Sequence, residues 1–145
     1  MSNFRYETID IHGYSTRVNQ SIKFILVVCI LIFLLSILLS DWKYATVFSS
    51  LIFIIQIFKT LNQNRYFISR INIEDGNVQV EYTDKDEKKC ISGMLSDFTF
   101  KKKAVYSKIK VVYLQIKYKN ELAINQYEIE KWTENIMDNI VSIED

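Results

Sequence analysis

The chain has 145 residues, with 49% hydrophobic and 24% charged side chains and a formal net charge of +1. A length of this order holds one domain with small attachments. The near-zero charge argues against a general nucleic-acid binder, which needs a positive excess to displace counterions.

Residues 1–22 read as an N-terminal tail. It mixes Phe4, Tyr6, Ile9, Ile11 and Tyr14 with polar residues. Tyr6 to Ile11 partly alternates, which suits a strand added to a sheet edge and equally an unstructured arm.

The charge is unevenly spread. From Phe24 to Phe58 the only charged residues are Asp41 and Lys43. Residues 23–59 therefore read as a transmembrane helical hairpin. In the run from Phe24 to Ser40, 14 of 17 residues are Leu, Ile, Val or Phe. At the bilayer centre these favour insertion by about 4 to 8 kcal/mol. Lys23 can snorkel at one end, and Trp42 and Tyr44 suit the other interface. The second run, Tyr44 to Phe58, is shorter and more polar, with Thr46, Ser49, Ser50 and Gln56. It inserts as the partner of the first, joined by Asp41-Trp42-Lys43. Ala45 and Ser49 share one helical face and permit close backbone approach, and Gln56 can bond across the pair or to a second copy. A hydrated Gln56 near the interface is the plainer alternative. The hairpin is thus a candidate surface for a protein partner or for self-association, through Ala45, Ser49 and Gln56.

Arg5, Arg17 and Lys23 precede the first run and Lys59, Arg65 and Arg70 come after the second, against Lys43 alone between them. The positive-inside rule then places both termini in the cytoplasm of a multi-pass inner-membrane protein. Thr60 to Asn64 form a tether of at most about 17 Å between the hairpin and the soluble part of the chain.

Residues 60–145 read as a cytosolic β-domain. Tyr66 to Ile73 ends in alternation and Asn77 to Tyr82 alternates throughout, with Asp75-Gly76 between them as a hairpin signal. Further strands are expected at Lys89 to Ile91, Phe98 to Phe100, Val111 to Tyr118 and Leu122 to Asn125. Ile129, Trp132, Ile136, Ile140 and Ile143 then form one apolar helical stripe, with Trp132 as its anchor.

Hairpins of antiparallel strands closed by one C-terminal amphipathic helix resemble the pleckstrin-homology (PH) superfold. With the preceding helices, the arrangement is similar to bacterial membrane proteins that carry a PH-like domain. The resemblance rests on Asp75-Gly76, the strand Val111 to Tyr118 and the helix with Trp132. It implies a seventh strand, sought around Lys103 to Tyr106, and a binding or assembly module rather than a catalyst. The expected class is therefore an α+β membrane protein: a two-helix transmembrane hairpin followed by a PH-like antiparallel domain.

Catalytic and metal chemistry find little footing. His12 is the only histidine, and no zinc-type cluster, phosphate loop or nucleophile motif surrounds it. No cofactor is implied. Cys29 and Cys90 lie in different segments and read as free thiols. Asp84, Asp86 and Glu87 interleave with lysines as in a solvated hairpin tip. The segment from Asp84 to Lys110 carries eight lysines against four acids, whereas 120–145 carries one lysine against seven acids. Lys101, Lys102, Lys103, Lys108 and Lys110 are accordingly the candidates for contact with anionic lipid. The alternative is that they keep a sheet edge from pairing. The functional expectation is a non-catalytic membrane-anchored binding or scaffold module. A small accessory or self-protection subunit of a larger membrane complex, held through the hairpin, is the second reading.

Overall fold

The computed structural model of the chain describes residues 3–10, 12–39, 42–106, 110–128 and 131–143. It divides into two compact units. One is helical, His12–Asn64; the other joins Met1–Ile11 to Arg65–Asp145.

The helical unit contains α1, Gly13–Leu39, and α2, Trp42–Gln63. Hydropathy marks the apolar segment, 23–59, but not where the helices stop. Helix α1 begins ten residues earlier, at a glycine with φ +62°, and carries a polar first half. Helix α2 continues through Thr60 to Gln63, so the expected tether is helix instead. Thr46 hydrogen-bonds back to the Trp42 carbonyl at 2.8 Å. At 1.5 Å per residue the helices measure about 40 and 33 Å. Both are long and apolar enough to cross a membrane, with mean hydropathies of 2.3 and 1.6 over their apolar windows.

The second unit is a β-domain of two antiparallel sheets and a short helix. The first sheet runs β1-β2-β3-β4: Phe4–Glu7, Tyr66–Glu74, Asn77–Asp84 and Glu87–Met94. The second runs β5-β6-β7: Phe98–Tyr106, Lys110–Tyr118 and Leu122–Tyr127. The seventh strand is therefore not at Lys103 to Tyr106, which is the second half of β5. It is the N-terminal segment, β1, whose Phe4 to Glu7 pair with Ile73 to Arg70 of β2. The helical unit is thus an insertion between the first two strands of one sheet.

Turn chemistry fixes the hairpins. Asp75 (φ 49°) and Gly76 (φ 78°) both take the left-handed conformation, which joins β2 to β3 by a two-residue turn. Lys119 (φ 48°) and Asn120 (φ 57°) are left-handed too, in the three-residue loop 119–121 between β6 and β7.

The core lies between the sheets. Ile68, Ile71, Val80, Phe100, Leu114, Ile116 and Ile124 are almost wholly buried. Helix α3, Glu134–Val141, covers this core with Met137 and Ile140, both fully buried. It is shorter than the sequence stripe. Thr133 is extended at its N-cap, and Trp132 stands before the helix rather than on it. Ile129, the first residue of the stripe, lies outside the described residues. At eight residues α3 cannot persist alone and depends on the sheet it covers. Glu128 Oε1 accepts the Glu134 N–H at 3.1 Å, satisfying one of the orphan donors of its first turn.

Candidate functional site

The lysine run of β5 divides by strand alternation. Phe98, Phe100 and Lys102 point to the inner side of the sheet, and Lys101 and Lys103 to the outer side. Lys102 reaches α3, where its ammonium contacts the Asp138 carboxylate and lies 3.4 Å from Glu134 Oε1. Lys110, at the start of β6, reaches the same Glu134 at 2.8 Å. These contacts raise the Lys102 pKa, through Asp138 first, and lower that of Glu134, through Lys110 first. The excess of lysine in 84–110 and of acid in 120–145 is thus partly matched within the domain. Lys108 lies outside the described residues.

Lys101 and Lys103 stand instead on the outer face of the second sheet. Their neighbours on β6 are Gln115 and Tyr113, and those in turn face Asn125 and Tyr127 on β7. The Tyr113 and Tyr127 rings lie 4.9 Å apart at 31°. Burial pushes the Tyr127 phenol up, and Tyr113 adds to the shift. Gln115 Nε2 donates to Asn125 Oδ1 at 3.0 Å. Lys117 completes the row on β6. Thr99, Val105, Val111 and Ala123 fill the remaining outward positions, so this face carries three lysines and no carboxylate. The charge run at 101–103 points to the lysines of β5 but not to Lys117, Tyr113 and Tyr127 on the same face. The signal was the period of two in Val111 to Tyr118, which puts 113, 115 and 117 on the side of Lys101 and Lys103.

The opposite sheet presents a different outer face. Arg70 bridges Glu7 at 2.7 Å and Glu81 at 3.0 Å, linking β1, β2 and β3. Glu7 also holds Arg5 at 2.9 Å, and its pKa is lowered by Arg70 first, then Arg5. Charges here are balanced in a ladder. Arg65 and Lys89 hold Asp84 at the far end of β3, at 2.9 and 3.2 Å, and lower its pKa, Arg65 most.

In the helical unit Ser49 is buried, as is Cys29 of α1. The Ala45 side chain lies outside the described residues. Gln56 is half-buried and lines a groove of about 460 Å³ between α1 and α2, with Lys59, Thr60 and Gln63 on its own helix. Their spacing, at 56, 59, 60 and 63, is one helical stripe and was readable in the sequence.

Among the described residues no three His, Cys, Asp or Glu side chains converge as a metal site. Cys90 is exposed, with Gln79 Nε2 at 3.5 Å from its sulfur, and Cys29 is a free thiol. Comparison of the chain with family models, with curated proteins and with solved structures finds no match in any of the three.

Proposed function

We propose that the chain is a non-catalytic, membrane-anchored binding module whose β-domain works against the anionic inner face of the membrane that holds α1 and α2. The observation that carries this reading is the outer face of β5, β6 and β7. Lys101, Lys103 and Lys117 stand on it beside the Tyr113–Tyr127 pair, with no carboxylate among the outward positions. A lysine near an anionic surface contributes about 1 kcal/mol. Tyrosine is suited to the headgroup level, where one end of the ring is apolar and the other wet.

The strand order supports an inner-membrane hairpin with both ends on one side. Strand β1 precedes the helices and β2 comes after them, yet Glu7 pairs with Arg70 in a single sheet. A chain that leaves a domain and returns to the same sheet crosses a bilayer an even number of times. The positive residues at both ends then favour the cytoplasm. The four-plus-three strand arrangement closed by α3 supports a PH-like domain in which the helices are inserted after the first strand. Function follows from the lysine face and not from that likeness.

Lysine-selective acylation of the full chain in nanodiscs, read by mass spectrometry, tests the reading. In discs rich in phosphatidylglycerol, Lys101, Lys103 and Lys117 react several-fold more slowly than in phosphatidylcholine discs, and high salt removes the difference. Lys102, already held by α3, reacts alike in both. Equal labelling of the three outer lysines in the two discs contradicts the proposal.

A further inference from the structure

The groove between α1 and α2 has an order of chemistry along its length. Counting from the connection, Ile25 lies 14 residues before the end of α1 at Leu39, and Gln56 lies 14 residues after the start of α2 at Trp42. These two stand level, with the exposed Phe24 ring beside them as apolar surface. One turn further out stand Ser21 on α1 and Lys59 on α2, and beyond them Gln20 and Gln63. The groove therefore passes from cation and amide donors at its mouth, through one amide, to apolar surface.

Charge points the same way. Between His12 and Asn64 the basic residues are Arg17, Lys23, Lys43 and Lys59, and the one acid is Asp41. Three of the four cations belong to the end where α1 begins and α2 finishes, and in sequence Asp41 stands at the other end. Lys59, with no carboxylate between His12 and Asn64 on its own side of the hairpin, offers an ammonium to an anionic headgroup. Lipid supplies one in the required order: phosphate, then ester carbonyl, then acyl chain.

We infer that this groove seats one anionic phospholipid. Lys59, Gln63 and the Ser21 hydroxyl donate to its phosphate, the Gln56 amide donates to an ester carbonyl, and Phe24 and Ile25 carry the first part of an acyl chain. The site rests on the reading that α1 and α2 lie in a membrane, and it is separate from the lysine face of the β-domain. Basic pockets between helices at the cytoplasmic side are suited to such headgroups.

The test is native mass spectrometry of the detergent-purified full chain with phosphatidylglycerol or phosphatidylcholine added. One phosphatidylglycerol survives activation on the wild-type protein at least tenfold more often than one phosphatidylcholine. Lys59→Glu removes that preference, Gln56→Leu weakens it while leaving α2 more apolar, and Lys43→Gln retains it. Equal retention of the two lipids, or a preference unchanged by both Lys59→Glu and Gln56→Leu, overturns the site. So does displacement of the lipid by millimolar inorganic phosphate, which marks a bare anion site. Alkaline carbonate extraction separates the two levels. A chain that resists extraction but lacks the lipid preference loses only this site. A chain released by carbonate loses the membrane reading and the site with it.

Discussion

Gln126 of β7 closes the one break in the β2 ladder: its Oε1 accepts the Ile68 N–H at 2.7 Å. The pairing of β2 with β3 passes from Ile68–Tyr82 to Arg70–Glu81, leaving Ser69 as the extra residue of a bulge. Ile68 thereby turns its N–H toward the second sheet and its carbonyl toward the segment ahead of α3. Its carbonyl accepts the Trp132 indole N–H at 3.0 Å. Gln126 is itself fully buried and gives its Nε2 to the Tyr127 carbonyl at 2.9 Å. Gln126→Leu keeps the volume and leaves a buried donor without a partner, a cost of about 1 to 3 kcal/mol. Thermal unfolding of the detergent-solubilised chain, followed by near-UV circular dichroism, is expected to show that loss. An unchanged midpoint contradicts the bridging role.

Trp132 combines the same bridge with packing. It is 1% exposed, and the Tyr6 ring of β1 meets it at 4.8 Å, edge to face. Trp132→Phe keeps much of the apolar contact and loses the hydrogen bond, whereas Trp132→Ala loses both, at about 3 to 5 kcal/mol. Because Tyr6 rests on this ring, Trp132→Ala is expected also to release β1. Hydrogen exchange at Phe4 to Glu7 should rise toward the unprotected rate in the variant.

The Asp84 cluster gives the domain an acid-sensitive contact. Its carboxyl is held below its ordinary value of 3.8 by Arg65 first and Lys89 after it. A carboxylate with a depressed folded pKa contributes stability above its unfolded value and loses it as pH falls through the folded one. Asp84→Asn is therefore expected to cost about 1 kcal/mol at pH 7. The gap between variant and wild type should close below pH 3.8, as the wild type loses the same contact. A constant gap across that range places the effect elsewhere.

The lysines of β5 and β6 separate by role. Lys102→Gln and Lys110→Gln remove partners of Glu134 and Asp138 and are expected to lower the unfolding midpoint, with the difference shrinking in high salt. Lys101→Gln and Lys103→Gln leave the midpoint unchanged. A loss of stability from Lys101→Gln equal to that from Lys102→Gln contradicts this division.

Much of the β-domain was legible because its signals are local. Asp75-Gly76 between alternating runs specifies the β2–β3 turn, and the six strands expected after it and around it appear in those places, two marked by alternation and Val111 to Tyr118 by its β-branched and aromatic residues. Strand β1 was only partly signalled: alternation from Tyr6 to Ile11 left an edge strand and an unstructured arm both open, and the strand is Phe4–Glu7. It has four residues, and its partner lies beyond both long helices, so only tertiary pairing distinguishes it from a loose arm. The start of α3 was misplaced because period alone carried the stripe back to Ile129. Trp132 satisfies that period, but its indole is directed to the Ile68 carbonyl ahead of the helix. Lys101, Lys102 and Lys103 read as one basic run, although a strand must send the middle one to the other side. Its partners, Glu134 and Asp138, are more than thirty residues away, and no local pattern names them.

On the proposed reading, a hairpin in the membrane returns the chain to the domain it left. Topology reporters test it most directly, with GFP and alkaline phosphatase fused in turn to each terminus and inserted between α1 and α2. Fluorescence at both termini, and phosphatase activity only from the insertion between the helices, are expected. Phosphatase activity at either terminus, or fluorescence from all three positions in a chain recovered from the soluble fraction, contradicts it.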